Sequence, residues 1–153
     1  KRKYYIETLY SHYEHTHYAS QLDITREIIA EKYPDYLKSY DEVVKHTYGY
    51  MFNMMIMQKR YLNDYCEWLF QILFLAEKEI DLTGRTHYQQ RVFGFLSERL
   101  FNVYIAYKKF TYDICPVRIP ETQNILKHMK YTCGLHTNQL IFNWNKSIKK
   151  GNP

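Results

Sequence analysis

Two long stretches carry their apolar residues at helical spacing, so helix dominates whatever this chain folds into. From Lys59 to Ile80, residues Leu62, Tyr65, Leu69, Ile72, Leu73 and Ala76 fall at three- and four-residue steps, the pattern of a helix that buries one face. Tyr88 to Tyr104 reads as a second amphipathic helix, yet it holds Arg91, Gly94, Glu98 and Arg99 among large apolar residues. A glycine in a helix interior costs roughly 1 kcal/mol, so Gly94 predicts that something approaches the backbone closely. Arg91 and Glu98 lie two turns apart on one face, which makes this helix one wall of a site.

The remainder is shorter and more mixed. Lys1 to Tyr18 is rich in aromatics and histidine without a clean period, and reads as a short strand followed by a loop or helical turn. Ser20 and Asp23 offer helix starts, and that helix runs to Tyr33 with Leu22, Ile28 and Ile29 near one face. Pro34 suits the first turn of another helix reaching about His46. Gly49 breaks the pattern, and Phe52 to Met57 is an apolar run short enough for a buried strand. Asp81 to His87 forms a loop. Tyr112 to Ile119 reads as an edge strand because Pro116 cannot donate to a central ladder, and one further helix falls near Thr122 to Tyr131. The predicted organisation is a domain over 1–118 and a basic extension over 119–153.

Composition narrows the function classes. The chain has 17 tyrosines and 8 phenylalanines; such an excess predicts polar, planar or sugar-like ligands or a core near water, with compositional bias as the alternative. The formal charge of +5 comes mainly from lysines after Arg118. Such a tail suits anionic lipid or nucleic acid, or is simply a solvated end. Without an interleaved basic and aromatic stripe elsewhere, nucleic-acid binding ranks low. Cys66, Cys115 and Cys133 form no Cys-x-x-Cys pair, which argues for a reducing compartment and against a disulfide scaffold. The opening Lys1-Arg2-Lys3, without an initiator methionine, predicts a fragment with no signal peptide.

Four sets of residues are chemically suggestive. His12, His15 and His17 invite hydrogen bonding to a polar ligand with Tyr10, Tyr13 and Tyr18 as walls; structural histidines or a metal site are the alternatives. Asn53 either ties down a loop or faces a ligand, on a bed of Met51, Met54, Met55 and Met57. Glu79 and Asp81 resemble a cation-holding acidic pair only weakly, and the chain has no Asp-x-Asp. Glu98 is the best catalytic candidate, because Phe95, Leu96, Leu100 and Phe101 would poise it as a base. Arg91 would hold a phosphate or pair with Glu98, and a purely structural Arg–Glu pair remains the alternative.

Four segments together carry a resemblance: Lys3 to His17, Met51 to Met57, Tyr65 to Leu73 and Arg91 to Arg99. Their order and spacing resemble the bacterial capsular and exopolysaccharide glycosyltransferase-like family, over roughly residues 1–110. The resemblance implies a helix-rich α/β chain: the carboxy-terminal, acceptor-side portion of a glycosyltransferase-A-like fold that lacks most of its nucleotide-binding sheet. It implies sugar transfer from a nucleotide-sugar to a growing glycan in the cytoplasm or at the inner membrane face. Mn or Mg would accompany the missing half. On this reading Glu98 is the base, and Arg91, Gly94, Asn53, His12, His15, His17 and Tyr13 contact substrate. The competing reading is a non-catalytic module that binds glycan or protein.

Overall fold

The computed structural model describes residues 2–115. The chain divides into two units after Tyr112, and the account below concerns the first. Its elements are β1 (Arg2–Lys3), α1 (Leu9–Thr16), α2 (Ser20–Lys32), α3 (Pro34–Val43), β2 (Tyr48–Gly49), α4 (Lys59–Glu79) and α5 (Val92–Lys108). A 3₁₀ turn over Gln89–Arg91 leads into α5. Helix therefore dominates, as the periodicity requires, and the sheet among the described residues is one antiparallel pair with Arg2 opposite Gly49 and Lys3 opposite Tyr48.

Local chemistry explains the boundaries. Thr8 and Ser11 cap α1 reciprocally: the Ser11 amide donates to Thr8 Oγ1 at 3.1 Å and the Thr8 amide to Ser11 Oγ at 2.9 Å. These bonds satisfy donors that a helix start otherwise leaves unpaired. Pro34 starts α3 at its first turn, where a missing N–H is harmless. Lys109, in the left-handed region at φ 52°, closes α5. Gly49 packs closely: a Cβ there would stand 2.6 Å from Met51 Cε and 3.2 Å from Leu9 Cδ1, so those side-chain ends would have to move.

Helix α5 is the hub, packing against α3, α4 and α2, while α2 packs on α3 and α4. Leu96, Leu100 and Val103 of α5 are fully buried beside Ile72 and Ala76 of α4 and Ile29 of α2. Many tyrosines belong to this core. The ring of Tyr36 stacks on Tyr107 at 3.7 Å and on Trp68 at 4.7 Å, and Tyr65 meets Tyr104 at 5.0 Å. Their hydroxyls bind internally where they can: Tyr40 donates to the Leu22 carbonyl at 2.7 Å and Tyr13 to Gln21 Oε1 at 2.7 Å. Among the described residues no helix is long and apolar enough to cross a membrane.

Several expectations change. Residues 9–16, read as a loop or helical turn, form a helix of two turns. The second amphipathic helix begins at Val92 instead of Tyr88. Phe52 to Met57 is neither strand nor buried: Phe52, Met54 and Ile56 are exposed. Apolarity alone misled there, because the run lacks the ladder partners that bury a strand. Tyr112 to Cys115 has no strand structure. The rest of that predicted strand, the helix near Thr122 to Tyr131, Cys133 and the basic tail lie outside the described residues.

Candidate functional site

One face of α5 presents Gly94, Ser97, Glu98 and Asn102 to the segment Tyr50–Asn53. The spacing of three to four residues places them on successive turns of the same side. Asn102 clamps Tyr50 at both backbone groups: the Tyr50 amide donates to Asn102 Oδ1 at 2.7 Å, and Asn102 Nδ2 donates to the Tyr50 carbonyl at 2.8 Å. The Phe52 amide donates to Glu98 Oε1 at 3.1 Å. Asn53 Nδ2 donates to Ser97 Oγ at 2.7 Å, and that hydroxyl donates on to the Gly94 carbonyl at 2.8 Å. These bonds hold two consecutive non-glycine residues, Phe52 at φ 75° and Asn53 at φ 49°, in the left-handed region, an uncommon and costly conformation for a bulky residue.

Arg99 joins this wall to the histidines of α1. Its Nη1 lies 2.9 Å from Glu98 Oε2 and donates to the Phe95 carbonyl at 3.3 Å. Its guanidinium sits 5.1 Å from the centre of the Tyr13 ring. The Arg99 side chain is buried, and its charge acts on Tyr4, His12 and His17. His12 packs on the Tyr4 ring at 4.2 Å, and His15 Nδ1 meets Glu7 Oε1 at 3.1 Å. His17 stacks on Phe95 at 4.2 Å and on Tyr88 at 5.7 Å.

The expected site residues therefore divide into two groups. Glu98, Asn53 and Gly94 come together through Ser97, while His17 and Arg91 meet around Phe95, the Arg91 guanidinium lying 5.4 Å from that ring. Arg91 is exposed at the start of α5 and does not pair with Glu98; Arg99 takes that place. Tyr13, expected as a wall, is fully buried beneath Arg99. Asn53 is exposed and ties the loop down. The methionines split, with Met51 buried and Met54 exposed. Gly94 lies in the first turn, where an added Cβ would meet nothing within 4 Å. No protein packing requires that glycine.

Arg99 is an important residue to which sequence pattern alone assigns no role. Its signal was positional: it stands three residues after Leu96 and four before Val103, on the stripe that buries α5. A charged residue on such a stripe is informative.

Two carboxylates belong to the cluster. Glu7, 2% exposed, is committed to His15, whereas Glu98 is 18% exposed. Glu98 is thus the more accessible of the two. Each carboxylate oxygen accepts more than one hydrogen bond, so its bonds to Phe52 and Arg99 leave acceptor capacity on Glu98.

Burial, reinforced by the positive charge of Arg99, pushes His12 down to about 3 and His17 down to about 4. Both rings are neutral in the folded chain near pH 7 and serve as hydrogen-bonding groups rather than cations. Because the unfolded chain takes up these protons near the ordinary 6.5, their stabilisation is present above that pH. It is lost as pH falls from 6.5 through the folded values. Urea unfolding should therefore show a midpoint that drops between about pH 7 and pH 4.5. The slope with pH should be shallower in His12→Phe and His17→Phe; an unchanged slope would contradict the assignment.

The three histidines do not converge on a common point, and among the described residues no group of three or more His, Cys, Asp or Glu side chains could hold a metal ion. Asp81 caps its own turn, accepting from the Thr83 amide at 2.8 Å. The divalent ion implied by the resemblance thus has no ligand set in this unit, and no step is routed through it.

A helix-rich unit with a carboxylate, a buried arginine and neutral imidazoles at one face defines a candidate polar-ligand site. The chain belongs to the family described as Domain of unknown function (DUF4422), whose sequence model matches residues 1–109. Among solved structures it is similar to the apo structure of WbbM, a bifunctional glycosyltransferase, with 33% identity and a TM-score of 0.58. That match covers 60% of this chain and 16% of the WbbM chain. No curated protein matches the chain.

Proposed function

We propose that this chain is the acceptor-side portion of a glycosyltransferase-A-like domain. It would take part in moving a sugar from a nucleotide-sugar to a growing capsular or exopolysaccharide glycan. The likeness to WbbM, at 33% identity and a TM-score of 0.58, carries this reading, and the geometry around Glu98 supports it. In the proposed step, Glu98 accepts the proton of an acceptor hydroxyl. The hydroxyl oxygen bonds to the anomeric carbon, and the nucleoside diphosphate leaves with the bonding pair of the donor's glycosidic C–O bond. Arg99 orients Glu98. Arg91, Gly94, Asn53 and the neutral histidines border the space in which acceptor and donor meet. The basic segment after Arg118 would rest on anionic lipid at the inner membrane face.

The test is acceptor-dependent release of nucleoside diphosphate by the protein at its natural length, offered a panel of nucleotide-sugars with capsular oligosaccharides. Release that requires both substrates is the expected result. No release with any pair would contradict the reading.

A further inference from the structure

The segment that α5 grips so tightly ends in an unexpected place. Phe52 is 66% exposed, although its backbone is forced into the left-handed region and held there by Glu98, with Asn53 and Tyr50 pinned on either side by Ser97 and Asn102. The bonds that hold this conformation serve the fold, yet they leave a phenyl ring in water. Strain of this kind collects where a side chain must be presented to something. The ring belongs to the very residue whose amide binds the Glu98 carboxylate at 3.1 Å. The backbone that carries this ring is thereby fixed to a proton-accepting group.

We propose that Phe52 is the platform on which a sugar ring of the acceptor glycan stacks while one of its hydroxyls reaches Glu98. This rests on the sugar-transfer reading above. The chemistry of a pyranose fits the pairing: its C–H face is apolar and lies flat on an aromatic ring, and its hydroxyls project from the rim. The Glu98 carboxylate and the Asn53 amide are both held at this same short segment. A purely apolar protein partner would leave that carboxylate desolvated beside the interface, at a cost that a hydroxyl-rich ligand avoids.

The experiment is saturation-transfer NMR on the protein at its natural length with the methyl glycosides of glucose, galactose and mannose. It is run beside the transfer assay on wild type, Phe52→Leu, Phe52→Gly and Phe52→Tyr. Wild type and Phe52→Tyr should saturate the ring C–H protons of at least one glycoside; Phe52→Leu and Phe52→Gly should lose that signal. In the transfer assay the same two variants should raise acceptor KM about tenfold, with kcat nearly unchanged. Phe52→Gly serves as the folding control. Glycine takes positive φ without strain, so its melting temperature should equal or exceed that of wild type while acceptor binding falls. Saturation unaltered by removing the ring, or absent in wild type, overturns the platform; with transfer intact, it does so while leaving the enzymatic reading standing. Ring-dependent saturation without any transfer sustains the platform and overturns the enzymatic reading.

Discussion

Replacing Arg99 by alanine is expected to destabilise the first unit by about 3 kcal/mol or more. The guanidinium is 4% exposed and lies 2.9 Å from Glu98 Oε2. Taking away the buried Arg99 leaves the partly buried Glu98 carboxylate without its cation, and that penalty exceeds what the pair contributes when intact. Packing over Tyr13 is lost in the same step. Urea unfolding reads the effect as a lower midpoint with an unchanged slope. Arg99→Met restores most of the volume and should lose less than Arg99→Ala. It should also raise the protonation pH of His12 and His17, because the Arg99 charge lowers both. A loss below about 0.5 kcal/mol, the range of ordinary surface substitutions, would contradict the buried-pair account.

The second large effect is catalytic. Glu98→Gln should lower kcat for sugar transfer by about 10²–10⁴-fold, the usual contribution of a positioned base, with acceptor KM changed little. Glutamine keeps the shape but cannot take the hydroxyl proton. Its single carbonyl oxygen can satisfy either the Phe52 amide or Arg99, which the two oxygens of Glu98 now serve separately. About 1–3 kcal/mol of stability is therefore lost as well, so the rate must be read on protein shown to be folded by a cooperative melt. Full turnover by folded Glu98→Gln would leave Glu98 only its structural task of pinning the loop to α5.

How much of this was legible depends on whether the signal was local. Helices α2, α4 and most of α5 follow from side chains repeating every three or four residues, because burial of one face imposes that period. The α1 cap was missed, since a Thr8–Ser11 pair lacks the Glu or Gln of the usual capping box. Phe52 to Met57 misled because apolarity does not reveal whether a segment finds ladder partners or is held out by a neighbouring helix. At the site, Glu98 and Asn53 were legible as polar residues in apolar surroundings. Their partners, Phe52 and Ser97, are 46 and 44 residues away, and nothing in either segment encodes that pairing. Arg99 carried a readable sign, a charge on the buried stripe. Arg91, seven residues before Glu98, lies in the exposed turn ahead of α5 and does not share that stripe.

The central claim is that this chain contributes to sugar transfer, and mass analysis of the acceptor tests it most directly. An oligosaccharide incubated with a nucleotide-sugar and the protein at its natural length should gain the mass of one sugar residue, and the gain should nearly vanish with folded Glu98→Gln. An acceptor that binds but keeps its mass with every donor would contradict the account, and would identify the chain as a glycan-binding module instead.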